Sequence, residues 1–347
     1  MRPASPSSFY FCGTCEKKRI SPSRQYKARL GCHAFCNVDR LSNRDDTTRR
    51  TGSGVCYASA MPQRPRIAVV GAGNLGGALA RSLHRAGYAI DCIVTRPDGP
   101  SRTKARKLAQ EVGARVCLGL PADLHAHVVW FTVPDAEIAR TARDFADAMS
   151  WKGRIALHSS GALGSDELDA LRRRGASVAS AHPLMTFVRG SQPSFAGVPF
   201  AIEGNAAAVR LARRTVKDFG ADSHPIRRKD KAAYHAWGTF VSPLFTSLLA
   251  TSEEVAFLAG VKKNEARRRS LPILLQTLAN YARFGASDAF SGPLIRGDVD
   301  TVRKHLRSLA KNPAAREVYR ALAYAALAYL PVKNRQALEK TVRSGRN

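Results

Sequence analysis

Residues 66–96 read RIAVVGAGNLGGALARSLHRAGYAIDCIVTR. The opening Ile67-Ala68-Val69-Val70 is a short apolar run of the kind that forms a buried parallel strand. It stops at Gly71-x-Gly73-x-x-Gly76, and Leu75 to Gly87 continue as a helix closed by a glycine. A second strand runs from Ala89 to Arg96. In such a strand–turn–helix–strand unit the three glycines have separate tasks: a tight turn, close approach of backbone to a pyrophosphate, and close packing of helix on strand. The helix start adds free N–H groups and the positive end of its dipole. The flanking strands separate a dinucleotide site, with Gly71, Gly73, Asn74, Leu75 and Gly76 against the phosphates, from a glycine-rich turn.

The alternation continues. ARVCL (114–118), AHVVWFTVPD (126–135), GRIALHSSGALG (153–164) and ASVASAHPL (176–184) predict four further strands, with a helix after Pro134. GVPFAIEG (197–204) adds another strand, AAAVRLARRTVKDFG (206–220) a helix and SHPI (223–226) a short edge. From Lys229 onward the pattern is helical. The expected fold is α/β: a Rossmann-type, doubly wound parallel sheet over 61–203, extended to about 227, then an all-α domain over 228–347. Residues 1–60 stand apart as a basic, cysteine-containing extension, with Met61 directly before the first strand. Three readings of that extension stay open: upstream or disordered sequence, a targeting segment, or a zinc site on Cys12, Cys15, Cys32 and Cys36. No metal is expected in the body of the chain.

The second strand ends at Thr95-Arg96 rather than at the carboxylate that an NAD ribose site uses, and Ser101, Arg102 and Lys104 follow. Asp91 lies near the strand's beginning, the wrong end to meet the ribose. Arg96 and Arg102 therefore favour a 2′-phosphate, and NADP over NAD. A charge-assisted hydrogen bond contributes roughly 1.5–3 kcal/mol, enough to shift preference tenfold or more.

Composition narrows the classes. The 55 Lys and Arg against 27 Asp and Glu give a net charge of +28. This favours anionic ligands, but without interleaved aromatic stacking residues it does not predict nucleic-acid binding. No run reaches the ~18–20 apolar residues of a membrane span. The longest candidate, ALAYAALAYL (321–330), is expected as a buried helix. Of seven cysteines only Cys92 and Cys117 lie beyond residue 60, which suggests a reducing, cytoplasmic setting.

In open α/β sheets, ligands sit beyond the carboxyl ends of the strands. There the sequence places Thr132-Val133-Pro134, His158-Ser159-Ser160-Gly161 and His182. Val133, Pro134 and Ser159 are candidates for the cofactor; Ser160, Gly161 and His182 are candidates for a substrate. The stretch 229–260 predicts a long helix despite Pro243. On it Lys231, Tyr234, His235, Gly238 and Ser242 form one polar stripe.

The glycine loop with VTR (94–96), HSSGAL (158–163), AHPLMTF (181–187), GVPFAIEG (197–204), KAAYHAW (231–237) and GPLIRGDVDTVRKHL (292–306) occur in this order. Together they resemble a family of poorly characterised NADP oxidoreductases, in which a Rossmann-like domain precedes a helical domain of unknown function. That family is similar to the 6-phosphogluconate and β-hydroxyacid dehydrogenases, pyrroline-5-carboxylate reductase and deazaflavin-dependent NADP reductases. The resemblance covers about residues 64–330. It implies catalytic roles for Lys231, nearest to a lysine that acts at the substrate carbonyl, and for Tyr234 and His235. It also implies a substrate loop at 159–161. One departure stands out: the family usually shows Ser-Asn where this chain has Ser242-Pro243, so a catalytic asparagine is absent.

Two functions follow as expectations. The first is an NADP-dependent oxidoreductase moving hydride to or from a small carbonyl, imine or hydroxy-acid compound held between the domains of a homodimer. The second is an NADP-binding sensor or partner protein without turnover. In the loop at 291–298, Gly292 and Gly297 permit a close backbone approach and Asp298 suits a helix N-cap. Arg296 is left to meet an anion if the loop closes over the cofactor. The Arg296-Gly297-Asp298 triplet is too short to mark adhesion.

Overall fold

The computed structural model describes residues 64–121 and 123–344. The cysteine pairs at 12/15 and 32/36, and Met61, lie outside the described residues. The described residues form one compact unit.

Eight strands build one sheet: β1 (Ile67–Val70), β2 (Ile90–Thr95), β3 (Arg115–Leu118), β4 (Val128–Phe131), β5 (Ile155–His158), β6 (Ser177–Pro183), β7 (Pro199–Gly204) and β8 (Asp222–Pro225). Their order is β3-β2-β1-β4-β5-β6-β7-β8. Strands β1 to β6 are mutually parallel; β7 pairs antiparallel with β6, and β8 runs parallel to β7. Every residue of β1, β2 and β4 is buried, because helices cover both faces of the sheet and leave no side of these strands to water.

On one face lie α1 (Asn74–Arg85), α2 (Ser101–Val112) and α5 (Ala206–Asp218), packed through Leu79, Leu83, Leu108, Val112, Ala212 and Val216. The other face is covered by α3 (Asp135–Ala148) and the short α4 (Asp169–Arg173), through Ile138, Phe145, Leu168 and Leu171, with Trp151 beside them. Gly71 has φ 108° at the end of β1, and Gly87 has φ 77° just after α1; both are conformations that L side chains rarely adopt.

The helical half departs from the expectation of one long helix. α6 (Lys231–Val241) stops at Ser242, where φ is −129° and ψ −80°, and Pro243 opens α7 (Pro243–Leu258). Proline at the first helical position has no N–H to leave unbonded, so the chain breaks there rather than bending. α8 (Lys263–Ala289) holds Pro272 inside and is interrupted at Gly285, where φ is 77°. The final helices are α9 (Pro293–Arg296), α10 (Val299–Ser308), α11 (Pro313–Tyr329) and α12 (Arg335–Arg343). α10, α11 and α12 close a small core of Val302, Leu306, Ala323, Leu327, Leu338 and Val342. The 321–330 segment is thus buried on one face only: Ala323 and Leu327 are buried, whereas Tyr329 is 83 % exposed.

Candidate active site

The glycine turn is shaped by contacts at two of its glycines and by space at the third. A Cβ on Gly76 would lie 2.1 Å from the Gly71 carbonyl oxygen and 2.5 Å from the Thr132 hydroxyl. That hydroxyl sits 3.0 Å from both the Val70 and Gly71 carbonyls and ties the end of β4 to the turn. A Cβ on Gly71 would come 2.9 Å from the Thr132 carbonyl oxygen. Gly73 is different: an added Cβ meets nothing within 4 Å. No side chain caps the start of α1, so its first amides face open space.

That space is a cleft of about 630 Å³ bounded by Gly71, Gly73, Arg96, Lys104, Val133 and Pro134 among others. Its size and its uncapped helix start fit a dinucleotide phosphate. The basic residues along this cleft are not quite those the sequence predicts for a 2′-phosphate. Arg96, Ser101 and Lys104 border the cleft; Arg102 does not. Asp91 is buried, paired with Arg115 at 3.1 Å and accepting from the His125 amide at 2.9 Å, so it is committed to the far end of β2. Asn74 donates through Nδ2 to the Phe187 carbonyl at 3.1 Å, drawing the segment after β6 to the start of α1. Leu75 packs against the core of that face.

Beside the turn, the ends of β5 and β6 form a tightly bonded rim. The buried Trp130 Nε1–H donates to the Ser159 hydroxyl at 2.9 Å. The Ser160 hydroxyl donates to Asp135 at 2.7 Å and accepts from the Leu163 amide at 3.0 Å. Both serine side chains, expected to face cofactor and substrate, therefore have internal partners. His158 is fully enclosed: its Nε2 bonds the Gly164 carbonyl at 2.9 Å and its Nδ1 accepts from the Ser160 amide at 3.2 Å. Burial, aided by the Lys231 charge, pushes its pKa down to about 4. His182 bonds the Ser159 carbonyl through Nδ1 at 3.0 Å. Burial brings it to about 4 as well, with Lys231 and His235 pushing the same way.

Three residues of the α6 stripe meet this rim, each in its own manner. Lys231 is 1 % exposed, and its ammonium donates to the Ser160 carbonyl and the Ser180 hydroxyl. Burial lowers its pKa to about 8, against the opposing charges of Glu203 and Asp135. The Tyr234 hydroxyl is buried and has no hydrogen-bond partner, and burial raises its pKa. Its ring packs edge-on to His182 at 6.2 Å and to Trp237 at 5.5 Å. His235 is exposed and lies edge-on to His182 at 5.9 Å. Gly161 makes room for both imidazoles, since a Cβ there would be 2.4 Å from His235 and 2.8 Å from His182.

Arg296 is not brought to this place. Its loop packs within the C-terminal helices, where Gly297, at φ 72°, has no room for a Cβ beside Asn334 and the Lys333 carbonyl. Asp298 caps α10 as expected, accepting from the Thr301 amide at 3.0 Å and hydroxyl at 2.7 Å. Sequence reasoning did not single out Trp130, Asp135, Ser180 or Glu203, which hold the rim from below. An isolated polar residue inside an apolar strand, as Ser180 is, was the only local sign of them.

Residues 53–183 match a Rossmann-like domain, and residues 198–326 match DUF2520, a domain of unknown function. No functionally curated protein matches the chain. Among solved structures it is similar to a Bacteroides fragilis protein described as a candidate NADP oxidoreductase (22 % identity, TM-score 0.64, 76 % of this chain and 97 % of that one). It is also similar to a Thermotoga maritima protein (22 %, TM-score 0.58, covering 81 % and 100 %). A third is a reductive aminase from Aspergillus terreus in complex with NADPH and ethyl-5-oxohexanoate (14 %, TM-score 0.56, covering 80 % and 99 %). Pyrroline-5-carboxylate reductases and imine reductases are among the further neighbours. The fold is thus shared with NADP-dependent reductases.

Proposed function

We propose, for a chain that joins a Rossmann-like domain to a DUF2520 helical domain, an NADP-dependent oxidoreductase acting on a small carbonyl, imine or hydroxy-acid compound. The observation that carries this reading is the Tyr234 hydroxyl, enclosed without a partner on the same rim as an open glycine turn. A buried phenol O–H without an acceptor is costly; a substrate oxygen or nitrogen would supply one. Gly71, Gly73 and the first amides of α1 would hold the pyrophosphate, with Arg96 and Lys104 toward a 2′-phosphate. When bound, the nicotinamide supplies or takes the hydride. Tyr234 gives a proton to the substrate atom that gains negative charge, and it stays protonated at neutral pH because burial raises its pKa. His235, at the exposed edge, is placed to exchange that proton with solvent.

Fluorescence titration with NADPH and NADH, followed by cofactor consumption across cyclic imines and keto acids, tests the proposal. NADPH is expected to bind at least about tenfold tighter than NADH. Tyr234→Phe is expected to lower kcat by about 10²–10⁴-fold with NADPH affinity retained. Failure to bind either nucleotide rules the reading out. Binding without consumption points to a sensor, which the internal partners of Lys231, Ser159 and Ser160 favour.

The working unit is proposed as a homodimer. Along α6, α7 and α8 only Lys231 and Ala266 are buried, while Phe240 is 70 % and Ile273 68 % exposed. An exposed apolar surface of this extent calls for cover, and the exposed apolar residues from Trp237 to Phe284 suit the roughly 800 Å² that each partner gives to a standard interface. Among the described residues no single helix is long and apolar enough to cross a membrane; α6–α7 and α8 combine the length and apolarity of a span only as a pair, bent by 117°. Light scattering should give twice the monomer mass, and Ile273→Glu should lower it toward one. A monomeric wild type that partitions onto lipid vesicles would replace the partner copy with a membrane. A cytoplasmic setting is proposed from the buried, unpaired thiols of Cys92 and Cys117, which interact with each other.

A further inference from the structure

Lys231 opens α6, where the family resemblance makes it an acid–base residue. Its surroundings suit another task. The ammonium is enclosed, 2.8 Å from the Ser180 hydroxyl and 3.0 Å from the Ser160 carbonyl. Both acceptors bear on a single ring. Ser180 lies two residues before His182 on β6, on the same side of the strand. Ser160 follows Ser159, whose carbonyl faces His182 Nδ1 at 3.0 Å. A carbonyl oxygen only accepts, so Nδ1 carries the proton and Nε2 keeps its lone pair. The Nε2 edge faces Gly161, where an added Cβ would lie 2.9 Å from that nitrogen. Tyr234 is three residues past Lys231 on the same face of α6.

The other charged or titratable groups around the ammonium are already committed. On α3, Asp135 accepts from the Ser160 hydroxyl; on β7, Glu203 accepts from the Ser165 amide at 2.6 Å and hydroxyl at 2.9 Å. On β5, His158 is bonded at both nitrogens, and the His182 ring on β6 is fixed through Nδ1. Among the described residues no carboxylate is bonded to the lysine to relay its proton, and the side chain is enclosed.

We propose that Lys231 is a positioning residue: by clasping Ser160 and Ser180 to the first turn of α6, it holds His182 in the Nδ1–H form as a fixed hydrogen-bond acceptor beside Tyr234. The catalytic consequence rests on the oxidoreductase reading above; the clasp itself does not. A substrate meeting this pair finds a donor in the phenol and an acceptor in Nε2. The site thereby selects compounds that carry an N–H or O–H beside the reducible centre.

The test compares wild type with Lys231→Met, which keeps the length of the side chain and removes the donors, by imidazole ¹⁵N–¹H spectroscopy without any substrate. In the wild type His182 should show protonated Nδ1 and unprotonated Nε2 between pH 5 and 8. In folded Lys231→Met the same signals should move toward a mixture of tautomers, and Ser180→Ala should move them part of the way. With a substrate in hand, kcat should fall about 10–50-fold, KM for NADPH should stay within twofold, and the pH–rate profile should keep its shape. Unchanged His182 signals in the folded variants would overturn the proposal. So would a loss above 1,000-fold in Lys231→Met that removes one limb of the pH–rate profile, because the lysine would then itself be exchanging the proton. Should Lys231→Met not fold, Ser180→Ala decides alone. An absence of turnover with every substrate counts against the oxidoreductase reading, while the spectra still decide the clasp.

Discussion

Gly76→Ala destabilises the protein, whereas Gly73→Leu leaves it folded and unable to hold NADPH. The two outcomes follow from what each missing side chain would meet. At Gly76 a Cβ arrives 2.1 Å from a backbone oxygen and 2.5 Å from the Thr132 hydroxyl. Neither can yield without pulling β1, α1 and β4 apart. Overpacking of this kind costs about 3 kcal/mol, or roughly 6–12 °C of melting temperature. At Gly73 the backbone has φ −71°, open to any residue, and no protein atom lies within 4 Å of the new Cβ. A leucine there fills only the space assigned to the pyrophosphate. Its melting curve should match the wild type, while the Kd for NADPH rises about 100-fold or more, a loss of roughly 2.7 kcal/mol. A folded Gly73→Leu protein with unchanged NADPH affinity would remove the cofactor assignment.

Acid should unfold the protein unusually early. His158 and His182 both have pKa values near 4 in the folded state, against about 6.5 in an unfolded chain. Below 6.5 the unfolded chain binds protons that the folded one refuses, so the contribution of the two histidines is complete above pH 6.5 and is lost as pH falls toward 4. Each histidine contributes a slope of up to about 1.4 kcal/mol per pH unit inside that window. Lys231 acts on the other side of neutrality. With its folded value near 8 and an ordinary lysine near 10.5, the unfolded chain again holds the proton more tightly, and stability rises as pH climbs from 8 toward 10. Urea unfolding at pH 5, 7 and 9 should give stability increasing in that order. A profile flat between pH 7 and 5 would mean that neither imidazole is buried neutral.

The sheet was legible because its signals are local. Each parallel strand is an apolar run closed by a turn residue, and the alternation with helices leaves few topologies. The antiparallel pairing of β7 with β6 has no such mark, since GVPFAIEG carries the same apolar pattern in either direction. The candidate site was legible in part. Glycine positions declare backbone needs that a sequence displays, and Gly71, Gly73 and Gly76 all lie at the turn. Hydrogen-bond partners are not displayed. Nothing near Ser160 announces Asp135, 25 residues earlier in the chain, and nothing near Lys231 announces Ser180. The α6 stripe was visible as a period, but a period does not say that its first member turns inward while His235 faces out. Lys104 borders the cleft and Arg102 does not, because residues two apart on a helix lie about 200° around its axis and face nearly opposite ways.

The reversal of β7 has a consequence for how such a chain can diversify. A parallel successor to β6 would oblige the intervening residues to travel back along the whole sheet, usually as a helix. An antiparallel one frees residues 184–198 from that journey: Phe195 and Val198 sink into the core, Asn74 holds the Phe187 carbonyl to the start of α1, and residues 188–194 stay at or near the surface. Lengthening or recolouring residues 188–194 disturbs no crossover and no core residue. Descendants of one scaffold can therefore recut this hem beside the start of α1, leaving the weave intact.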